Sequence, residues 1–364
     1  MPTPAHVVVL PKEPGPLEVV AIDLPDPGPY QVVVKQFASG VCHSQLHQMH
    51  TPRPYPVLLG HESTGIVLHT GSEVTHVKAG DMVMVTWVPR DAANTDRAPE
   101  AATLTLADGT VAVSQNVFTW ADNTIADEQY VVKVADDTNR DVTAIIGCAV
   151  MTGAGAVENT ANVKAGESVV IFGVGGVGLS AVVAAKAVGA NPIIAVDLDD
   201  EKLAFAVKFG ATHTINAATG DTLAQIRALT TNPAKRSMMG QPVSGADYAF
   251  DCIGLKQTME QIVPAVRSGF FGAEPGGTAV LVGVPQTKVE LNAIDILLNE
   301  KKFIGSIGGS CSPDRDFPKY LDWYKEGKLD LEAMVTERFA LADINAAATA
   351  LEKGQISGRA ILVL

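Results

Sequence analysis

Short apolar runs broken by Pro and Gly dominate the first ~150 residues, a pattern that reads as strands. Val7-Val8-Val9-Leu10, Gln31–Lys35, Ser63–Leu68 and Asp81–Val85 are such runs. A 3.6-residue apolar period is scarce there, so this part is predicted to be mostly β, with its chemistry on loops. From about Ala154 the rhythm changes to strands alternating with helices. Ser168–Phe172 reads as a buried strand, Leu179–Val188 as an Ala/Val-rich helix, and Pro192–Val196 as the next strand. Further units follow: helix 204–209, strand 248–250, helix 259–266 and strand 278–284. Regular β-α alternation predicts a parallel sheet with helices on both faces. After about Gly308 that rhythm stops, leaving helices near 317–325 and 344–353 and a last strand at 360–364. If this tail returns to the first part, a nucleotide domain interrupts a discontinuous one. Between Val88 and Gln129 lies a long polar stretch, read as a surface lobe or a loop bordering a site.

Composition narrows the class. The 364 residues are 47% hydrophobic and 18% charged, enough for two packed cores of an ordinary globular enzyme. A net charge of −13 argues against nucleic acid and anionic membranes as partners. No apolar stretch approaches the ~20 residues of a membrane span, and the start lacks a basic, then apolar, leader. A cytoplasmic location is therefore expected. The four cysteines, at 42, 148, 252 and 311, have no close paired spacing and are expected to stay thiols.

Gly173, Gly175 and Gly178 form G-x-G-x-x-G between a predicted strand and helix. That placement, more than the pattern, marks a dinucleotide loop, in which backbone N–H groups meet a pyrophosphate. Gly176 and Val177 belong to the same turn. Asp197 ends the next strand, where a carboxylate accepts from ribose hydroxyls and repels a 2′-phosphate, favouring NAD over NADP. It could instead cap the following helix. Cys42, His61 and Cys148 could hold zinc through two thiolates and an imidazole, leaving a fourth position open. They lie far apart in the chain, so spacing alone does not support them.

Their context does. Gly60-His61-Glu62-Ser63-Thr64-Gly65, followed by Gly71 and Val74, reads G-H-E-x₂-G-x₅-G-x₂-V. With the Gly-rich loop, this resembles the zinc-containing alcohol dehydrogenases of the medium-chain dehydrogenase/reductase superfamily over nearly the whole chain. The resemblance implies a GroES-like catalytic domain, residues 1–152 and 308–364, interrupted by a Rossmann-type doubly wound domain, 153–307. It implies that Cys42, His61 and Cys148 ligate a catalytic zinc, with Glu62 behind the metal and able to approach it. Ser44 matches the hydroxyl that meets the alcohol, and His47 the histidine passing the proton to solvent. His43 and Arg359 match phosphate contacts, Thr152 a position at the nicotinamide face and Lys202 a ribose contact, and Val284 is expected among the cofactor-binding residues. Trp87 corresponds to a substrate-pocket position, and Trp120 or Phe118 is expected near the same wall.

Chemistry agrees with these assignments. A serine hydroxyl is too weak a base to keep a proton, whereas a histidine with an ordinary pKa of ~6.5 can take it onward. His50, His69 and His76 read as exposed loop histidines. Two departures stand out. Gln45 occupies the place of the Asp that usually accepts from the zinc-bound histidine; its carbonyl could accept that bond but adds no charge. The stretch 88–129 lacks the four cysteines of a structural zinc, so one zinc per chain is expected. The expected activity is NAD-linked interconversion of an alcohol with an aldehyde or ketone, aromatic or medium-length aliphatic. A lyase on this scaffold, cleaving cyanohydrins without turning NAD over, is the alternative, and a non-enzymatic NAD binder a third reading. A homodimer, formed through sheet edges of the nucleotide domain, or a homotetramer is expected from the resemblance.

Overall fold

The computed structural model describes every residue except Met1, Thr95, Met238, Met239, Phe271, Gly272 and Gln286. The chain divides into two compact units, Met1–Ala149 with Ser312–Leu364, and Val150–Cys311.

In the first unit, β1 (Thr3–Leu10) pairs antiparallel with β2 (Glu18–Leu24). β3 (Gln31–Val41) leads into helix α1 (His43–His50). Then come β4 (Val57–Leu58), β5 (Glu62–Thr70), β6 (Met82–Thr86), β7 (Thr103–Thr105), β8 (Val111–Val113), β9 (Asn123–Asp127) and β10 (Val131–Lys133). Side chains alternate along β1, so its two faces serve two cores. Val7 and Val9 pack with Leu24, Leu58, Phe118 and Ile125, while Val8 and Leu10 pack with Leu46, Leu59 and Trp120. The polar stretch 88–129 is more ordered than its composition indicates. β7 and β8 are only three residues long, and in each the middle residue, Leu104 or Ala112, is buried.

The second unit opens within α2 (Ala149–Gly155). Its sheet begins with β11 (Val169–Phe172), followed by α3 (Gly176–Ala187), β12 (Ile193–Asp197), α4 (Asp200–Phe209), β13 (His213–Asn216) and α5 (Thr222–Thr230). A hairpin, β14 (Asn232–Arg236) and β15 (Pro242–Val243), precedes β16 (Tyr248–Asp251), α6 (Lys256–Ala265), β17 (Thr278–Leu281), α7 (Ala293–Leu298) and β18 (Lys302–Gly305). The order β13-β12-β11-β16-β17-β18 is parallel throughout. Val169, Val170, Ile171 and Phe172 are all buried, as a central parallel strand requires. Chain order reverses between β11 and β16, the switch point at which such sheets open a ligand crevice.

The tail returns to the first unit through α8 (Pro313–Lys325), α9 (Leu331–Met334), β19 (Val335–Ala340), α10 (Ile344–Glu352) and β20 (Arg359–Val363). β20 pairs antiparallel with β3, placing Ala360 opposite Val41, and β19 adds beside it in parallel. The resulting fold is a Rossmann-type sheet interrupting a mostly β, GroES-like domain. No helix among the described residues is long and apolar enough to cross a membrane.

Candidate active site

The end of β3, the start of β5 and the start of α2 converge in the first unit. Cys42 follows β3, His61 precedes β5 and Cys148 precedes α2. With Glu62 they place one ligand atom each within 4.8 Å of one another. Gly60 directs His61 there. Its φ of +92° lies in the left-handed region, and a Cβ would meet the Thr119 and Trp120 atoms. Thr86 Oγ1 donates to Gly147 O at 2.7 Å, tying β6 to the residue before Cys148.

Both thiols are buried. A hydrogen bond from Cys148, together with His61, pulls Cys42 well below the ordinary thiol range, and the same bond pushes Cys148 well above it. Burial works against charge on His61, yet Cys42 outweighs it and raises the ring above its ordinary value. His61 Nε2 is buried with no hydrogen-bond partner. Two adjacent buried sulfurs and a ring nitrogen without a partner, their ligand atoms within 4.8 Å, form a donor set that fits Zn²⁺.

Behind these ligands, fully buried Glu62 is ion-paired with Arg359 Nη2 from β20. Glu62 Oε2 accepts from Ala149 N–H at 3.4 Å. Burial pushes the Glu62 carboxyl up to about 7, although Arg359 pulls the other way. Arg359 is 5% exposed, and its Nε lacks a partner. Ser44 Oγ donates to Cys42 Sγ at 3.4 Å, and half-buried His47 stands one turn further along α1, with His43 exposed at its start. Gln45 reaches His61, but with its amide nitrogen: Nε2 lies 3.0 Å from Nδ1 while Oε1 accepts from Gly60 N–H. The expected carbonyl-to-imidazole contact is thus replaced by its reverse.

Half-buried Trp87 follows β6 and sets its ring edge-on to His61, 6.5 Å between centroids at 77°. Trp120 does not join it. Trp120 and Phe118 are both 0% exposed, and the Trp120 indole N–H donates to Gly40 O at 3.0 Å. The expectation that they wall a pocket is corrected: both are core. His76 is corrected too, being half-buried, with Nε2 2.9 Å from Val131 O and Nδ1 3.1 Å from Glu128.

Two family models match the chain: the alcohol dehydrogenase GroES-like domain over residues 28–136 and the zinc-binding dehydrogenase over residues 176–326. The alcohol dehydrogenase class-3 of Cereibacter sphaeroides is 32% identical, covering 96% of each chain. The chain belongs to the zinc-containing alcohol dehydrogenases. It is a medium-chain NAD-dependent zinc oxidoreductase. The S-(hydroxymethyl)glutathione dehydrogenase of Paracoccus denitrificans is also 32% identical, over 91% of this chain and 92% of its own. Among solved structures, benzyl alcohol dehydrogenase from Acinetobacter calcoaceticus superposes with a TM-score of 0.85 at 29% identity, covering 100% of this chain and 99% of that one.

In the nucleotide unit of this dehydrogenase, the loop after β11 bends as its glycines imply. Gly178 packs so tightly that a Cβ would strike the carbonyl of Gly173. Gly175 caps α3, which begins at Gly176 and Val177. Asp197 ends β12 and accepts from Val174 N–H at 2.9 Å and Leu198 N–H at 2.8 Å. The cap of α4 is Asp199, not Asp197, leaving Asp197 to brace the Gly-rich loop. Lys202 is half-buried on α4, and exposed Val284 follows β17 on the same carboxyl edge of the sheet. Thr152 Oγ1, on α2, is buried without a partner. The Arg359–Glu62 pair was not foreseen, because residues 297 positions apart leave no local signal.

Proposed function

We propose that this dehydrogenase interconverts aromatic or medium-length aliphatic alcohols with their carbonyl products, using one zinc per chain. The observation that carries the reading is buried Cys42 and Cys148 gathered with half-buried His61 in one cluster, with Trp87 edge-on to His61. Likeness to benzyl alcohol dehydrogenase supports the aromatic side, and the absence of cysteine between residues 88 and 129 supports a single metal. When bound, zinc supplies Lewis acidity toward a substrate oxygen and NAD supplies the hydride acceptor.

This chain's own residues do the rest. Cys42, His61 and Cys148 would hold the metal, while Arg359 keeps Glu62 engaged behind them. Ser44, with its hydroxyl against Cys42 Sγ, receives the alcohol proton and passes it along the same face of α1 to His47, which releases it to water. Trp87 offers a broad apolar surface that orients an aromatic group and excludes water. In the nucleotide unit, N–H groups of Gly175, Gly176, Val177 and Gly178 would meet the pyrophosphate, Asp197 and Lys202 the ribose, and Thr152 the nicotinamide, with Val284 a further cofactor contact.

A panel of alcohols and aldehydes, S-(hydroxymethyl)glutathione included, assayed with NAD and NADP tests this. Benzylic alcohols should reduce NAD, chelation should abolish the activity, and zinc should restore it at one ion per chain. Cyanohydrin cleavage without NAD reduction by any alcohol would select the lyase instead.

A further inference from the structure

The Gln45 side chain is held at three points. It is 2% exposed on α1, and its Oε1 accepts from the backbone N–H of Gly60. Its Nε2 donates to Gln48 Oε1 at 3.1 Å and lies 3.0 Å from His61 Nδ1. A backbone N–H is only a donor, so Gly60 dictates which end of the amide faces it. Turning the amide over would set NH₂ against N–H and leave a buried donor unmatched. The two amide hydrogens are thus committed to Gln48 and to His61, and Nδ1 is the acceptor.

A neutral imidazole that accepts at Nδ1 carries its proton on Nε2. Nε2 is the orphaned atom beside the two thiols, whose lone pair a metal requires. Metal-ligating histidines ordinarily donate their other N–H to an acceptor. Here that position is filled by a donor, and a proton moved onto Nδ1 would meet the Gln45 N–H head-on.

We propose that Gln45 is a positioning residue that holds His61 in the tautomer opposed to metal binding, so that this chain releases zinc readily. The proposal rests on the reading of Cys42, His61 and Cys148 as ligands. An acceptor at position 45 should tighten the site by ~10–100-fold, the usual weight of such a partner. Gln45→Glu is the informative variant. It keeps the length, so one oxygen still accepts from Gly60 while the other accepts from His61 Nδ1–H.

The test is zinc release from the full chain to a colorimetric chelator, followed by metal content and rate. Wild type and Gln45→Glu should each load one zinc, with release at least ~10-fold slower from the variant. Equal or faster release from a folded, loaded Gln45→Glu overturns the proposal. Failure of the wild type to bind zinc would overturn the ligand reading instead. Nitrogen-15 NMR of the metal-free wild type gives a second measure, whether or not the variant folds. At a pH where the ring is neutral, His61 should carry its proton on Nε2, and a neutral ring with its proton on Nδ1 overturns the proposal.

Discussion

Single residues in this enzyme divide by what they touch more than by what they are, as its two tryptophans near the site show. Trp120 packs with Val8, Leu10 and Leu362 and has no exposed surface, whereas Trp87 keeps an exposed part and faces His61. Trp120→Ala should therefore cost ~3–5 kcal/mol of unfolding free energy, measured by urea denaturation, through loss of burial and a cavity. Trp87→Ala should unfold close to wild type but raise KM for benzylic alcohols far more than for ethanol. If the stability losses were reversed, the two roles would be exchanged. Apolar pattern around both residues is similar, which is why the sequence could not separate them. Cys42, His61 and Cys148 were legible only because His61 sits in a G-H-E pattern typical of a family; their spacing carries no rule. Gln45 was visible as a departure, but which end of its amide faces His61 depends on Gly60 N–H, a backbone group no sequence pattern reports.

At the scale of elements, the Gly-rich loop was readable because three levels agree there: a buried strand, a tight turn and a helix of small residues. β7 and β8 were not, since three-residue strands alternating Thr and Leu or Val and Ala fall below any useful periodicity window. The stretch they belong to is tied down by charge. Asp127, at the end of β9, accepts from Arg97 at 2.6 and 2.8 Å and from the N–H groups of Glu100 and Gln129 at 3.0 Å. Burial pushes the Asp127 carboxyl up, but Arg97 and then the two backbone donors outweigh it, and the group stays below its usual range. Its folded pKa being depressed, the stabilisation is present above the unfolded value of ~3.9 and lost as pH falls through the folded one. Asp127→Ala should cost ~3 kcal/mol at pH 7, the low end for a broken buried pair because Arg97 keeps access to water. The gap from wild type should begin to narrow near pH ~4 and close as pH falls through the depressed folded value. Urea midpoints at neutral pH and below that folded value measure it, and a pH-independent gap would show packing, not charge, at work.

For the molecule as a whole, the charge of −13 says little about assembly; the edge of the nucleotide sheet says more. β18 ends the strand order, so among the described residues one side of its backbone has no strand neighbour. On α7, next to it in sequence, Ile294 is 68% and Leu297 74% exposed, and Ile307 just beyond β18 is 76% exposed. Three large aliphatic side chains this open are costly on a monomer's surface and are what a second copy would cover. A two-fold pairing there fits the homodimer expected of this family, with a tetramer as the larger possibility. Light scattering should give a mass of at least two chains, each 38.1 kDa. Because Leu297 and Ile307 are largely exposed, Leu297→Asp with Ile307→Asp should leave the circular dichroism unchanged and yield single chains. A wild type that runs as one chain at micromolar concentration, or a double variant that stays paired, would place the contact elsewhere and leave those aliphatic groups without an assembly role.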